Sequence, residues 1–334
     1  MNLPRQLLGQ TGIEVSRLCY GSLTLGPAQA DLSPDRGGEL LAYAFDRGVN
    51  FVDTAELYET YPHIRAALRR VNTRPVIATK CYAYDRETAR LSFEQARRAL
   101  DLEMIDIFML HEQETTLTLA GHEQAFRYFY ELKEKGLIRA IGISTHAVEP
   151  VRALAQARSG QLDGLWQGLD AGLYREADVI HPLLNRRGLG LLDGTADDMV
   201  EATRAAAAAG IGLYGMKMLG GGHFLPEFDA AVEFALAQDQ VAAYAVGMQS
   251  EAEIDMNLAL FSGLPVKPAD LAATRARRRR LIVADWCTGC GACVARCASQ
   301  ALEVTDGKVR VDESRCLLCG YCAYGCRDFV LKVI

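Results

Sequence analysis

Two kinds of segment alternate along the first 260 residues or so. Short apolar runs occur at Leu18–Ser22, Asn50–Asp53, Val76–Lys80, Ile105–Leu110, Ala140–Ile143, Gly164–Leu169, Ile211–Met216 and Ala242–Val246. Between most of them lie amphipathic stretches such as Glu39–Asp46, Phe93–Leu100, Ala125–Lys135 and Met199–Ala209. Gly48, Gly136 and Gly210 close such stretches just ahead of the next run, where a helix ends in a left-handed cap. Apolar runs without alternation suit strands covered on both faces, and strand–helix repetition implies a parallel sheet. Eight such strands predict an α/β fold, a (β/α)8 TIM barrel. A doubly wound sheet is the alternative, but no G-x-G-x-x-G follows the first strand. The stretch 171–195 is long for a connection and predicts an added hairpin or lid over one barrel end.

The chain has 334 residues, half of them hydrophobic, a length that suits about two domains. The expected division is a barrel over 1–265, a linker over 266–280 with a basic run, and a small domain over 281–334. A net charge of -6 and a pI near 5.6 give no general attraction to nucleic acid or anionic lipid. No stretch approaches the ~18 apolar residues of a membrane span, and Met1-Asn2-Leu3-Pro4-Arg5 leads into no apolar signal core. A soluble, cytoplasmic protein is expected.

The cysteines are distributed unevenly. Cys19 and Cys81 stand alone, and the other eight crowd between 287 and 326. Cys287, Cys290, Cys293 and Cys297 have the spacing C-x2-C-x2-C-x3-C, and Cys316, Cys319, Cys322 and Cys326 repeat it. Three thiolates in a seven-residue loop can wrap one iron-sulfur cubane, and in two-cluster proteins the fourth comes from the other run. Cys287, Cys290, Cys293 and Cys326 are therefore assigned to one 4Fe-4S cluster. Cys316, Cys319, Cys322 and Cys297 are assigned to the other. A zinc site would pair two cysteines with a distant second pair, and a disulfide framework belongs to an oxidising compartment. Between the runs, Ala301–Val311 reads as a hairpin about Asp306-Gly307. The segment 281–334 resembles a bacterial two-cluster ferredoxin, with Ala298 and Arg327 where a proline usually follows the fourth cysteine.

In a TIM barrel, chemistry gathers at the C-terminal ends of the strands. Those ends carry Asp53 with Tyr58 just beyond, Lys80 and His111. Each alone has a plain structural reading: a cap, a solvated lysine, a satisfied core histidine, loop packing. Four titratable residues at successive strand ends are harder to explain as packing.

Over about Arg5 to Phe261 the chain resembles the aldo-keto reductases, and most closely those with a ferredoxin tail. The resemblance is carried by Leu8-Gly9-Gln10-Thr11-Gly12, Phe51-Val52-Asp53-Thr54-Ala55-Glu56-Leu57-Tyr58, Ala78-Thr79-Lys80, Asp106 to His111, Ile141-Gly142-Ile143-Ser144 and Val246 to Asn257. It implies an oxidoreductase reducing a carbonyl or oxidising an alcohol, with Asp53, Tyr58, Lys80 and His111 as its catalytic tetrad. Tyr58 would move the proton, Lys80 would lower the Tyr58 pKa, Asp53 would hold Lys80, and His111 would donate to the carbonyl oxygen. It also implies NAD(H) or NADP(H). Ser144 is in place for the carboxamide, while Thr145 replaces the family's Asn. Trp166, with Gln167 one step off, stands where Gln is expected at strand six. Met216, followed by Lys217, takes the place of an aromatic ring that stacks on the nicotinamide. Gly247, Gln249, Ser250, Glu253 and Asn257 form the phosphate-side segment. That segment lacks Arg or Lys and carries Glu251, Glu253 and Asp255, so NAD is the expected preference.

Arg275-Ala276-Arg277-Arg278-Arg279-Arg280 could dock an acidic electron donor such as a ferredoxin or flavodoxin, or could be a solvated face or a set of interdomain ion pairs. Gly220-Gly221-Gly222-His223 resembles a family loop that approaches the cofactor phosphate, or is a plain turn. Two other functions stay open. One is a ferredoxin-coupled reductase that uses no nicotinamide, and the other a non-catalytic electron-transfer subunit that keeps the barrel as a scaffold.

Overall fold

The computed structural model describes residues 3–167 and 170–334. Eight parallel strands close into a barrel in the cyclic order 8-1-2-3-4-5-6-7. They are Leu18–Gly21, Phe51–Asp53, Val76–Cys81, Ile105–Leu110, Ile138–Thr145, Val179–Pro182, Gly212–Met216 and Ala243–Val246. The last strand pairs with the first through Tyr244 opposite Leu18 and with the seventh through Tyr244 opposite Gly215. An N-terminal hairpin, Arg5–Leu7 against Glu14–Ser16, precedes the barrel. Leu8, Ile13 and Val15 from that hairpin pack with Cys19, Phe51 and Ile107 of the barrel interior.

Side-chain parity explains the layers. Alternate residues on a strand point to opposite faces. Cys19, Phe51, Ala78, Ile107, Met109, Val179 and Tyr214 share the interior cluster. Their neighbours Tyr20, Val52, Ile77, Phe108, Ile141, Ile180 and Leu213 pack outward against the helices. By the same parity Asp53, Lys80, His111, His181 and Tyr214 face inward.

The sixth strand is not where the apolar run at Gly164–Leu169 predicts it. Gly164–Trp166 is a 3-10 turn, and Gly168 and Leu169 lie outside the described residues. Trp166 packs beside Tyr174 and donates its indole N–H to the Ala153 carbonyl on the outer helix Val148–Ser159. The strand is Val179–Pro182, inside the stretch expected to be a lid. Four residues that include His181 and Pro182 read as loop. The strand is specified by tertiary contact: Ser144 pairs with His181, and Ile180 with Leu213.

After the barrel, helix Pro268–Ala276 packs on helix Glu251–Phe261 and leads into the cysteine-rich unit. There Leu281–Val283 pairs antiparallel with Leu331–Val333, and Leu302–Thr305 pairs with Lys308–Val311 about Asp306-Gly307, as the turn signal predicts. Leu281, Leu302, Val309, Val330 and Leu331 form its small core beside Cys293 and Cys322. A further apolar cluster joins the two units, with Leu189, Phe224 and Ala231 from the barrel side meeting Ala323 and Phe329. Among the described residues, no helix is long and apolar enough to cross a membrane.

Candidate active site and cluster sites

The inward-facing strand ends build a polar floor beneath the barrel mouth. Lys80 Nζ lies 2.7 Å from Asp53 Oδ1 and donates to the Thr54 carbonyl at 2.7 Å. Both side chains are buried. The Tyr214 hydroxyl donates to the same Asp53 oxygen at 2.8 Å. His181 Nε2 is 3.7 Å from it, and the His181 ring stacks on Tyr214 at 3.9 Å between centroids. Asp53 is thereby held by three groups from three strands.

Tyr58 sits above this floor on the 3-10 turn Glu56–Tyr58. Its ring centroid is 5.0 Å from Lys80 Nζ and 5.7 Å from that of His111. The His111 ring stacks on Tyr82 at 4.6 Å, and His111 Nδ1 is buried without a partner. Burial, followed by the charges on Lys80, His181 and Lys217, holds His111 well below the usual histidine range, so its ring is neutral near pH 7. Tyr58 departs from expectation. Its phenol is pushed well above the usual value, first by burial and then by Asp53, Glu112 and Tyr82. The Lys80 ammonium is hydrogen-bonded to Asp53 and Thr54, and it lies over the ring rather than against the hydroxyl.

Sequence reasoning missed His181, because the two apolar residues before it, Val179 and Ile180, are too short a run to mark a strand end as the run before His111 does. Burial is the first cause that lowers the His181 pKa, to about 4, with the Asp53 carboxylate acting in the opposite sense. The unfolded histidine titrates near 6.5. The stability tied to keeping this ring neutral is therefore present above pH 6.5 and is lost as pH falls from there through about 4. One such group accounts for about 3 kcal/mol. The urea midpoint is expected to drop across that window, and His181→Gln to flatten the slope. An unchanged slope would show that His181 takes up its proton equally well in the folded chain.

The residues expected to contact nicotinamide are largely engaged within the protein. Ser144 Oγ accepts the Glu112 amide at 2.9 Å, and Thr145 Oγ1 is turned onto the Ala147 amide at 2.8 Å. Trp166 and Gln167 are remote from the sixth strand's end, which is occupied by His181. Met216 closes the seventh strand, half-buried. Lys217 follows with a φ of +60° and places Nζ 3.0 Å from His146 Nε2. Burial pushes the Lys217 ammonium down to about 8. An added Cβ at Gly247 would meet Thr24. Ser250 caps helix Glu251–Phe261 by accepting the Glu253 amide, and Asn257 donates to the Glu253 carbonyl at 2.8 Å. Gln249 donates to the Thr24 carbonyl at 3.0 Å and accepts from Arg277. Arg277 and Arg279 lie 3.2 and 3.7 Å from Glu253, and Arg278 3.6 Å from Glu313. Arg275, Arg278 and Arg280 of the basic run thus stay exposed, while Arg277 and Arg279 are engaged by Glu253. The phosphate-side segment, which lacks a cation of its own, receives these from the linker.

The mouth is covered by the cysteine-rich unit. Lys217 Nζ is 4.8 Å and Lys332 Nζ 3.2 Å from the Phe329 ring centroid. A Cβ built on Gly221 would stand 3.0 Å from Lys332 and 3.2 Å from Phe329, and one on Gly222 2.3 Å from the Val333 carbonyl oxygen. The glycine loop is therefore the barrel's seat for strand Leu331–Val333.

Cys297, Cys316, Cys319 and Cys322 line one cavity together with His223 and Val333. These are the four cysteines that the crossed assignment groups. Among the described residues, no three ligating side chains converge on one ion-sized point. The four residues line one cavity instead, and it is the repeated C-x2-C-x2-C-x3-C spacing that suits a cubane rather than a zinc ion. Cys326 Sγ accepts the Val330 amide at 3.4 Å, and Cys297 Sγ the Ala301 amide at 3.2 Å. None of the eight is joined in a disulfide. With crossed ligands, Cys297→Ser is expected to weaken the same cluster as Cys319→Ser, and Cys326→Ser the same cluster as Cys290→Ser. Iron content and spectra of the anaerobically reconstituted variants check this. Pairing of Cys297 with Cys290 instead would overturn the crossing.

Comparison with known proteins gives two matches to family descriptions. The aldo/keto reductase family matches residues 17–230, and a 4Fe-4S dicluster domain matches residues 280–327. The chain is 29% identical over 172 residues to a soybean protein named probable aldo-keto reductase 1, covering 44% of this chain and 49% of that one. The match thus spans about half the length of that curated relative. It is 22% identical over 289 residues to L-galactose dehydrogenase of Arabidopsis thaliana, covering 77% of this chain and 88% of the relative. Among solved structures, a Pseudomonas aeruginosa protein titled a putative aldo-keto reductase superposes with a TM-score of 0.62 at 25% identity, over 78% of this chain and 95% of its own.

Proposed function

The chain belongs to the aldo/keto reductase family and carries a C-terminal 4Fe-4S dicluster domain, and from that premise we propose that it is an oxidoreductase that interconverts a small-molecule carbonyl and its alcohol, with Tyr58 moving the proton. The observation that carries this reading is the buried Lys80–Asp53 pair set beneath Tyr58 and His111. A packing role gives no reason to bury a lysine and a carboxylate at the one barrel end where two further titratable rings converge.

Each residue's part follows from its surroundings. His111, kept neutral, donates one N–H to the carbonyl oxygen and helps to stabilise the charge that develops there. Tyr58, kept protonated, gives its proton to the alkoxide, which is more basic than any phenolate. The phenolate left behind has the Lys80 ammonium 5.0 Å from its ring centroid as the nearby cation, and Asp53 fixes that ammonium in place. Tyr214 and His181 hold Asp53 from the opposite side. In alcohol oxidation the same groups act in reverse.

Cys287, Cys290, Cys293 and Cys326 would hold one cluster, and Cys316, Cys319, Cys322 and Cys297 the other. Bound clusters supply electrons singly. The residues as arranged do not fit a nicotinamide dinucleotide. The glycine loop lies under Phe329, Lys332 and Val333, Thr145 faces its own backbone, and Gln249 and Glu253 are tied to Arg277. The acidic segment's expected preference for NAD also weakens, because Arg277 and Arg279 neutralise Glu253. These contacts favour the second reading, a reductase fed by a low-potential donor such as a reduced ferredoxin or flavodoxin, in which two successive one-electron deliveries are matched by two protons, one from solvent to the carbonyl carbon and one from Tyr58 to its oxygen. The test is anaerobic carbonyl reduction by the cluster-loaded chain with a reduced viologen, NADH or NADPH. Activity with the viologen that persists without nicotinamide is expected. Activity with NADH or NADPH alone would restore the hydride reading.

A further inference from the structure

We propose that the barrel mouth takes a carbonyl or alcohol substrate that carries a carboxylate, held by the ammonium groups of Lys217 from the barrel and Lys332 from the cysteine-rich unit. The carbonyl chemistry rests on the role proposed for Tyr58, and the anion site rests on the placement of these two lysines. Lys217 follows the seventh strand, and Lys332 lies in strand Leu331–Val333. Their Nζ atoms stand 4.8 and 3.2 Å from the centroid of the same Phe329 ring, and both residues are half-buried. Lys80 and Lys133 are each paired with a carboxylate, whereas among the described residues neither Lys217 nor Lys332 forms an ion pair. An ammonium carries three donors. Lys217 spends one on His146 Nε2 at 3.0 Å, and Lys332 spends one on the Phe329 carbonyl. Among the described residues their side chains are offered no other acceptor, so both have donors left for a ligand. The acid beside this group is Glu112, which accepts from the Tyr82 hydroxyl and lies 4.0 Å from His146 Nε2. Burial, and then the Lys217 charge, push the Lys332 ammonium well below its usual range. A carboxylate between the two lysines relieves that repulsion and takes up the open donors.

The pair belongs to the same mouth as the tetrad. His146 follows the fifth strand and Glu112 follows His111. Tyr82 joins them by bonding Glu112 while stacking on His111 at 4.6 Å. The Lys217 charge is among those that hold His111 neutral. A substrate with its carbonyl at Tyr58 and His111 thus has a positively charged rim within reach of its far end. The phosphate of a dinucleotide would offer similar anionic oxygens, but the glycine loop it would follow is covered by Phe329, Lys332 and Val333. The exposed Tyr82 marks the side of the mouth that stays open to a substrate. Because one lysine comes from each unit, the anion site is complete only when the cysteine-rich unit is seated on the barrel.

The experiment separates the anion site from the chemistry. Isothermal titration calorimetry of the full, anaerobically cluster-loaded chain uses straight-chain carboxylates from acetate to hexanoate, which have no carbonyl to reduce. The matching amides and pyrophosphate are titrated beside them. A carboxylate is expected to bind where its amide does not. Lys217→Met and Lys332→Met should each weaken that binding by about ten- to a hundredfold, the weight of one charge-assisted hydrogen bond. Lys135→Met removes an exposed charge ahead of the fifth strand, at the opposite barrel end, and should leave it unchanged. In steady-state reduction of oxo acids and their amides, the preference for the acid should fall by the same factor in both lysine variants. If Lys332→Met fails to assemble its clusters, Lys217→Met carries the test. Equal binding of carboxylates and amides, or carboxylate affinity unchanged in Lys217→Met, would overturn the proposal. Binding of pyrophosphate alone would also overturn it, by assigning the lysines to a dinucleotide phosphate. Lysine-dependent carboxylate binding in a chain that reduces no carbonyl would uphold the carboxylate site and overturn the reading of Tyr58 instead.

Discussion

Replacing Tyr58 with phenylalanine is expected to lower turnover of the carbonyl or alcohol substrate by about 10²- to 10⁴-fold, the usual weight of a positioned proton donor. Fold and iron content should not change. The Tyr58 ring is part-exposed, no protein hydrogen bond to its hydroxyl is made among the described residues, and its contacts to Lys80 and His111 are made by the ring. Loss of the oxygen should therefore alter stability by no more than about 0.5 kcal/mol. The pH profile adds a second readout. Burial raises the Tyr58 pKa, so the donor stays protonated beyond the ordinary tyrosine range, and the alkaline limb of carbonyl reduction should lie above pH 10. Steady-state rates with a low-potential donor, beside thermal unfolding and iron assay, measure all three. A rate within twofold of wild type would remove Tyr58 from the proton-transfer step, and absence of turnover in the wild type as well would favour the non-catalytic electron-transfer reading.

Lys80→Met is expected to cost about 3–5 kcal/mol of folding stability, besides its effect on rate. Lys80 is fully buried, and Asp53 is nearly so. Removing the ammonium strands a carboxylate in the barrel interior with only the Tyr214 hydroxyl and His181 nearby. Asp53→Asn combined with Lys80→Met removes both charges and should recover much of the loss, because an uncompensated buried charge costs more than an absent pair. Urea unfolding of the wild type, the single variants and the double variant closes the cycle. A single-variant loss below about 1 kcal/mol would mean that water reaches Asp53 and that the floor is not sealed.

The two predictions draw on different parts of what the sequence made legible. Asp53, Lys80 and His111 could be named from the linear chain because each closes an apolar run. In a barrel, strand ends and side-chain parity are enough to bring such residues to one mouth. Tyr58 follows from its distance beyond Asp53. His181 does the same job on the sixth strand and was passed over, because Val179–Pro182 is too short and too polar to read as a buried strand. The apolar run at Gly164–Leu169 competed for its place. Trp166 in that run is apolar because it packs beneath the outer helix, and hydrophobicity alone does not distinguish the two kinds of burial.

The cofactor side shows the opposite balance. Ser144, Thr145, Gln249, Ser250, Glu253 and Asn257 stand at recognisable sequence positions, yet each already makes at least one hydrogen bond to backbone or to Arg277, with Asn257 Oδ1 left without a partner. Spacing reports which groups a loop carries and leaves open what they face.

By itself the sequence determined the barrel and the two cysteine runs of the 4Fe-4S domain, because each is set by local pattern: strand and helix periodicity in one case, thiol spacing in the other. Only the tertiary structure decided how the two units meet. Phe329 and Lys332 settle over Lys217, His223 reaches the cavity of Cys297, Cys316, Cys319 and Cys322, and Arg277 and Arg279 clasp Glu253. These contacts join residues as much as 115 positions apart, from Lys217 to Lys332. Their energies come from glycine-lined fit, cation–ring contact and ion pairing, which no periodicity encodes.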